Sequence, residues 1–155
     1  MKRIVSLFTA CLLTMTMVMG QKKEESPRVS AEGNNIKIEY GQPSKKGRVL
    51  FGPEGGEGLE KYGKVWRIGA NKATEITFKK NGTFGGKPVK AGTYTLFALP
   101  TENDWKIILN GQLGQWGAYK YDEFKDKDVL QVTVPKKSYS NSEEKLTFRV
   151  EKSSL

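Results

Sequence analysis

From Asn35 to the C-terminus, the chain alternates apolar and polar residues with a period of two. Ile36, Ile38 and Tyr40 are separated by polar residues, as in a strand that buries one face. The same alternation, or a short apolar run, recurs at residues 48–51, 74–78, 93–99, 105–110, 130–134 and 146–150. Together with the hairpin-like spacing of these segments, this predicts an all-β domain of about eight strands, an antiparallel β-sandwich or jelly-roll-like fold over residues 35–151.

Residues 62–78 combine an unusual number of turn-forming, aromatic and polar residues in a short stretch. A turn-like lead that contains Trp66, Arg67 and Asn71 passes directly into an alternating strand. Residues 90–100 are predicted as the sheet partner of this strand, because a glycine permits a tight turn and β-forming residues follow it. We expect these segments to form a fixed corner of the fold, with structural roles for Tyr62, Trp66, Gly69, Gly92 and Tyr94.

Four further segments are predicted as turns or loops. Asn81-Gly82 has the composition of a two-residue hairpin turn, and Gly85-Gly86 marks a second turn. Residues 53–58 form a loop rich in glycine and glutamate, and residues 111–128 are predicted as a long loop with at most one strand.

The N-terminus has the three-part pattern of a secretory signal. Two basic residues precede an apolar run at 4–19, and Gly20 supplies a small residue for cleavage before Gln21. An uncleaved membrane anchor is the alternative, but the run is short and contains several hydroxyl residues. Cys11 lies within the run instead of at its end, which argues against a lipoprotein. We therefore expect a periplasmic or secreted protein with a signal peptide at 1–20 and a flexible lead-in at 21–34 that contains at most one short strand, near Val29.

Composition excludes several kinds of chemistry. The 155 residues include one cysteine, Cys11, and no histidine. A disulfide, a thiolate metal site and a Ser-His-Asp triad are therefore excluded from the domain, and we predict no metal or other cofactor. Without Lys2 and Arg3, the chain has 24 basic and 17 acidic residues. This excess of positive charge favours binding to anionic surfaces or glycans. The basic residues are scattered and match no nucleic-acid-binding module, so no nucleic-acid partner is expected.

Arg67 and Asn71 are candidate ligand-binding residues in the turn-like lead. A planar guanidinium can bind a carboxylate or phosphate through two hydrogen bonds, or stack on Trp66. The structural alternative is that Arg67 ties the turn to backbone carbonyls or to Glu75. Asn71 could orient a ligand, or cap the turn through its own side chain.

The aromatic residues of the long loop are the second group of candidates. Trp116, Tyr119 and Tyr121 could form a platform on which sugar rings stack, because an aromatic face combines apolar area with a polar rim. Packing within the loop and core is the alternative, and Trp105, which opens a strand, is expected to be packed.

Carboxylates supply two weaker hypotheses. Glu39 and Glu75 could act as acid and base in glycoside cleavage, although carboxylates on strand surfaces are common. Asp122, Asp126 and Asp128 form an acidic cluster, but they lack the spacing and the glycine of a calcium loop and alternate with lysines. A solvated face is the simpler interpretation, so no catalytic residue is assigned.

Several motifs resemble one bacterial family, which is catalogued as domain of unknown function 2911. They are Tyr40-Gly-x-Pro43, Gly47-Arg-x-x-Phe-Gly52, Tyr62-Gly-Lys-Val-Trp-Arg-x-Gly-Ala-Asn71, Ala91-Gly-Thr-Tyr94 and Trp116-Gly-Ala-Tyr119. The resemblance covers nearly all of the chain after the signal segment. It implies a secreted or envelope-associated bacterial domain, with no activity, cofactor or partner to carry over. The chain departs from the family in residues 53–60, which form a longer connection.

We therefore expect a non-enzymatic binding module for an envelope glycan or another anionic envelope component. The candidate surface combines Arg67 and Asn71 with the loop at 116–121. A hydrolase that uses carboxylates without histidine, or a structural or interaction protein of the envelope, is the alternative. Contact with a membrane is expected only through an uncleaved signal segment, and the sequence does not determine an oligomeric state.

Overall fold

The computed structural model describes residues 25–151, so the predicted signal peptide and its cleavage site lie outside the described residues. Ten strands and one short helix make up this part of the chain. In order they are β1 (Arg28–Glu32), β2 (Ile36–Gly41), β3 (Phe51–Gly52), β4 (Glu60–Lys61), β5 (Thr74–Phe78), β6 (Gly82–Phe84), β7 (Lys87–Val89), β8 (Gly92–Pro100), β9 (Asp104–Asn110), α1 (Tyr121–Phe124) and β10 (Asp128–Pro135). A single 3-10 turn, Lys125–Lys127, follows α1. The predicted all-β fold is confirmed.

Six strands form one antiparallel sheet in the order β1-β2-β5-β8-β9-β10. The predicted partnership of residues 62–78 and 90–100 is confirmed, since β5 pairs with β8 from Thr74 opposite Leu96 to Phe78 opposite Gly92. Two smaller units complete the architecture: the short parallel pair β3 and β4, and the hairpin of β6 and β7. Between residues 25 and 151, no helix is long and apolar enough to cross a membrane.

The two faces of the sheet differ in character. On one face, apolar residues meet across neighbouring strands, as Ile38 does with Ile76 and Leu96 with Leu109. This apolar face carries most of the core. On the other face, a smaller cluster around Phe97 is packed beneath the loop that follows β9. The period-two pattern therefore placed most apolar side chains on one side of the sheet.

Residues 65 and 66 extend the sheet beside β8, beyond the end of β5. The backbone of Trp66 exchanges two hydrogen bonds with Ala98 of β8: Trp66 N donates to Ala98 O at 2.7 Å, and Ala98 N donates to Trp66 O at 2.9 Å. The indole of Trp66 lies on the apolar face, where it contacts Phe51 edge-on at 5.1 Å and Trp105 at 5.8 Å. Trp105 is therefore packed, as expected, and Trp66 is anchored to the centre of the sheet.

The C-terminal segment and the β3–β4 pair lie against the apolar face, and we call them the cover. The C-terminal segment does not form the strand that we predicted at 146–150. Only Lys145 makes a bridge to Ser44, while the side chains of Leu146, Phe148 and Val150 pack against the apolar face. The segment lies over the sheet, whereas the hydrogen bonds of a sheet run within its plane. The alternation correctly marked the buried side chains, but it did not specify backbone pairing.

Residues 48–51 were predicted as a buried strand, and this was wrong. Only Phe51 enters a strand, and Val49 and Leu50 are exposed. The predicted hairpin at Asn81-Gly82 was also wrong, because the two-residue turn lies at Gly85-Gly86. Both of those glycines have positive φ, as the twist of a tight hairpin requires.

Two loop predictions also need correction. Residues 28–32 form β1, so the short strand expected near Val29 is present. It pairs with β2 along its whole length, so this part of the predicted flexible lead-in belongs to the sheet. The long loop at 111–128 contains α1 and the 3-10 turn instead of a strand.

Replacement of Trp66 by alanine is expected to lower the free energy of unfolding by about 3 to 5 kcal/mol, because a large, buried aromatic side chain is removed. Trp66 is 8% exposed, whereas Trp116 is 58% exposed and provides a matched control. Urea unfolding followed by circular dichroism measures both variants. Equal stability of Trp66→Ala and Trp116→Ala would contradict the anchoring role of Trp66.

Gly41→Ala is expected to destabilise the fold by about 1 to 3 kcal/mol, the usual range for overpacking. A Cβ at this position would collide with the carbonyl group of Ala70, because the backbones of residues 41 and 70 lie in direct contact. Gly82 has open space around its Cβ position, so Gly82→Ala is the control. Thermal unfolding that shifts equally for both variants would contradict the close approach.

Candidate functional site

The candidate residues of the turn and of the long loop are brought together by backbone pairing. Ala73 N donates to Gln115 O at 2.9 Å, and Gly117 N donates to Asn71 O at 3.0 Å. Between these bonds, Lys72 and Trp116 form an isolated bridge. The loop after β9 is thereby fixed against the turn before β5. Arg67, Asn71, Trp116, Gly117 and Tyr119 consequently lie on one surface, which we call the Arg67 surface.

The turn that carries Arg67 has an unusual backbone. Ile68, Gly69 and Asn71 all have positive φ, at 50°, 153° and 62°. This conformation is uncommon outside glycine and costs most for a β-branched residue such as Ile68. Thr74 holds it in place, since its hydroxyl donates to Ile68 O at 2.6 Å and its N–H donates to Arg67 O at 3.1 Å. The turn is therefore strained but well supported.

The guanidinium group of Arg67 is only partly engaged. Its Nε donates to Gly69 O at 3.2 Å, in line with the structural alternative. In the part of the chain that the structure describes, its terminal nitrogens donate no hydrogen bond, and no carboxylate lies within 4.0 Å of them. These nitrogens are therefore available to a ligand.

Gly117 leaves the space in which Arg67 and Tyr119 converge. A Cβ placed on Gly117 would lie 2.6 Å from the ring of Tyr119 and 3.2 Å from Nη1 of Arg67. Gly117 also has a φ of 72°, which a residue without a side chain adopts at low cost. No pattern in the sequence marked this residue as functional. Its position between Trp116 and Tyr119 was the only available signal.

The two aromatic residues of this surface are open to solvent. Trp116 is 58% exposed and Tyr119 is 79% exposed. Asn71 contributes less. Its Nδ2 donates to Ser26 O at 3.4 Å, and its left-handed backbone helps to turn the chain into β5. The exposed rings and the free guanidinium nitrogens therefore form the chemically useful part of the Arg67 surface.

Tyr121 does not join these residues. Its hydroxyl donates to Asp128 at 2.6 Å, and its ring packs edge-on against Phe97 at 5.3 Å. Burial and the neighbouring Asp128 raise the pKa of Tyr121 above its ordinary value. The structure thus places Tyr121 in the packing of the loop.

The carboxylates that we considered as acid and base are neighbours in the sheet. Glu39 and Glu75 stand opposite each other on β2 and β5. Each has a partner, since Lys37 lies 3.2 Å from Glu39 and Gly114 N donates to Glu75 at 3.0 Å. Glu75 is therefore not the partner of Arg67 that the structural alternative proposed.

The acidic cluster near the end of the long loop has a structural use. Asp128 accepts hydrogen bonds from Asn110, Tyr121 and Gln131, and Asp122 lies 3.8 Å from Lys125. Within residues 25–151, no group of acidic or other ligating side chains has an arrangement that could hold a metal ion.

A large cavity lies next to the Arg67 surface, between the apolar face of the sheet and its cover. Its volume is about 990 Å³, and Arg67 and Asn71 lie at its edge. Glu60 also lines this cavity. Burial raises the pKa of Glu60, and the positive charge of Arg67 opposes this with a smaller effect. The sequence analysis did not predict the cavity, because its walls come from segments far apart in the chain.

These features define a class: an all-β protein with a single large antiparallel sheet, a covered apolar face and an exposed surface of aromatic rings beside an arginine. The chain belongs to the family described as protein of unknown function, DUF2911, whose family model matches residues 22–155. This match confirms the family resemblance found in the sequence motifs. No curated protein and no solved structure is significantly similar to the chain.

Glu60→Gln is expected to stabilise the fold at about pH 7 and to have no such effect at about pH 3.5. A raised pKa means that the folded state disfavours the ionised carboxyl, so stability is lost as the pH rises through the folded pKa. The gain should stay below about 1 kcal/mol, because water screens a half-buried group. Thermal unfolding at both pH values measures it, with the exposed Glu57→Gln as control. A gain that is equal at both pH values would contradict this account.

Proposed function

We propose that the protein is an exported, non-enzymatic binding module that recognises an anionic glycan of the cell envelope through the Arg67 surface. The observation that carries this proposal is the convergence of the Arg67 guanidinium, with its free terminal nitrogens, and the exposed Tyr119 ring at Gly117, on the loop that also carries the exposed Trp116. Export to the periplasm or the exterior, after cleavage of a signal peptide following Gly20, is part of the proposal and rests on the sequence pattern of residues 1–20.

The rings supply the sugar-binding part of this surface. A sugar presents one apolar face of C–H groups, which packs favourably on an aromatic ring, while its hydroxyls remain hydrated. Trp116 and Tyr119 are exposed without a ring partner among the described residues. Their loop is held by the backbone pairing with residues 71–73, so little ordering cost accompanies binding.

Arg67 supplies the selectivity for an anion. Its terminal nitrogens present paired donors in the geometry of a carboxylate or phosphate. The surface therefore combines a fixed cation with stacking area, which fits an acidic sugar better than a neutral one.

Binding of acidic oligosaccharides to the full chain is expected to depend on Trp116, Tyr119 and Arg67. Alanine at either aromatic position should weaken binding by about 1 to 3 kcal/mol, the range for loss of a stacking side chain. Arg67→Gln should remove the preference for uronic-acid oligosaccharides over their neutral counterparts. Isothermal titration calorimetry with matched acidic and neutral oligosaccharides measures both effects.

Two controls separate a specific surface from general adhesion. Tyr139 is 81% exposed and lies outside this surface, so Tyr139→Ala should leave binding unchanged. Arg149 is an exposed arginine paired with Glu143, so Arg149→Gln controls for loss of charge. Absence of binding across acidic glycans, or equal effects of Tyr119→Ala and Tyr139→Ala, would refute the proposal.

A further inference from the structure

The cavity beneath the cover shares Arg67 and Asn71 with the Arg67 surface, but the rest of its lining is different. Its floor is the apolar face of the sheet, including Ile76, Leu96 and Ile107. One wall is formed by Trp66 and Trp105, and the C-terminal segment faces the space from the other side through Leu146 and Phe148. A volume of about 990 Å³ is at the upper end of the range for small-molecule sites. The lining thus favours an apolar occupant of considerable length.

The floor of the cavity is the surface of a flat sheet, in which Ile76 and Leu96 are only 3% and 4% exposed between their neighbours. An extended, flexible chain can follow such an apolar floor along its length. At its edge, Leu50 and Leu59 are exposed apolar residues that continue the lining towards solvent.

One end of the cavity is basic. Lys45, Arg48 and Lys145 line it, and none of them has a carboxylate within 4.0 Å among the described residues. Arg48 instead donates to the backbone carbonyls of Ser44 and Lys45, so its position is fixed while its charge stays uncompensated.

The carboxylates near this end are already engaged. Glu143 pairs with Arg149, and Glu144 accepts a hydrogen bond from Lys46 N at 2.8 Å. The remaining acidic residues of the lining, Glu25 and Glu60, lie on the side of Arg67 and Asn71. An anionic group is therefore favoured at the end that carries Lys45, Arg48 and Lys145.

We propose that this cavity binds a single-chain amphiphile of the fatty-acid class, with its acyl chain between the sheet and the cover and its anionic head group at Lys45, Arg48 and Lys145. Each buried methylene group adds to affinity, so a long chain is needed to offset the cost of association. This site meets the proposed glycan site only at Arg67 and Asn71, because Trp116 and Tyr119 do not line the cavity.

The test uses cis-parinaric acid as a fluorescent fatty acid and the full chain carrying Trp116→Ala. The three tryptophans of the chain are Trp66, Trp105 and Trp116, so in this variant the emission comes from the two that line the cavity. We expect saturable energy transfer from them to the probe and displacement of the probe by palmitate. Hexadecanol, which lacks the charge, should displace it at least about tenfold more weakly.

Matched substitutions locate the site. Leu59 is 54% exposed at the cavity edge and Leu113 is 43% exposed outside it. Leu59→Glu should weaken binding by about tenfold, while Leu113→Glu should not. Lys145→Glu should likewise weaken binding, with Lys137→Glu as the control for the same change of charge. Thermal unfolding of each variant without the probe establishes that it is folded.

The outcomes are distinct. Absence of saturable transfer overturns the proposal, and so do equal effects of Leu59→Glu and Leu113→Glu, which would indicate adsorption to the surface. Displacement by hexadecanol as strong as that by palmitate overturns the assignment of an anionic head group. The glycan proposal is tested separately, through Trp116 and Tyr119, which do not line the cavity, and with a different ligand.

Discussion

The backbone pairing of Trp66 with Ala98 is the constraint on which the rest of the structure depends. Two hydrogen bonds fix Trp66 to β8, one of the two central strands of the sheet. Its indole must then lie on the apolar face, where it meets Phe51 and Trp105 in edge-to-face contacts. Such contacts add stability beyond the buried area. Because the indole is held at this point of the sheet, Phe51 and Trp105 pack against a fixed position.

This anchor also sets the geometry of the functional surface. Arg67 follows Trp66 directly, so the direction of its side chain is determined once the indole is buried. The positive φ values of Ile68, Gly69 and Asn71 then turn the chain back into β5 within a few residues. Strained backbone of this kind persists only where its surroundings hold it. Here Thr74 and the contact with Gly41 provide that support, and the Arg67 surface inherits the rigidity of the core.

The sequence predicted side-chain burial better than backbone pairing. The alternation at Thr74–Phe78 identified a strand, and a suitable partner followed after a short connection. At residues 146–150 the same alternation marked apolar side chains that are packed on the core, yet the segment has no place in the sheet. An alternation with a period of two indicates which side chains share a face. It does not state whether the backbone lies in a sheet or above one.

The candidate site could be predicted by residue type and not by position. Arg67, Trp116 and Tyr119 were selected for their chemistry, but their proximity depends on bonds between residues 71–73 and 115–117, which no local pattern encodes. Tyr121 has the same side chain as Tyr119, but it is packed within the loop because it contacts Phe97 and Asp128. The structural use of Gly117 was equally hidden, since only the folded loop shows what its missing side chain leaves room for.

Arg67 and Asn71 belong both to the exposed surface and to the edge of the cavity, which raises the question of whether ligands at the two places would influence each other. Coupling requires that a ligand distinguish two states of the structure between them. The turn at 67–71 is held by Thr74, by the backbone of Gly41 and by the pairing with residues 115–117. An element fixed from three sides has no second arrangement for a ligand to select. Shared residues alone therefore imply direct electrostatic influence through Arg67, and no conformational coupling.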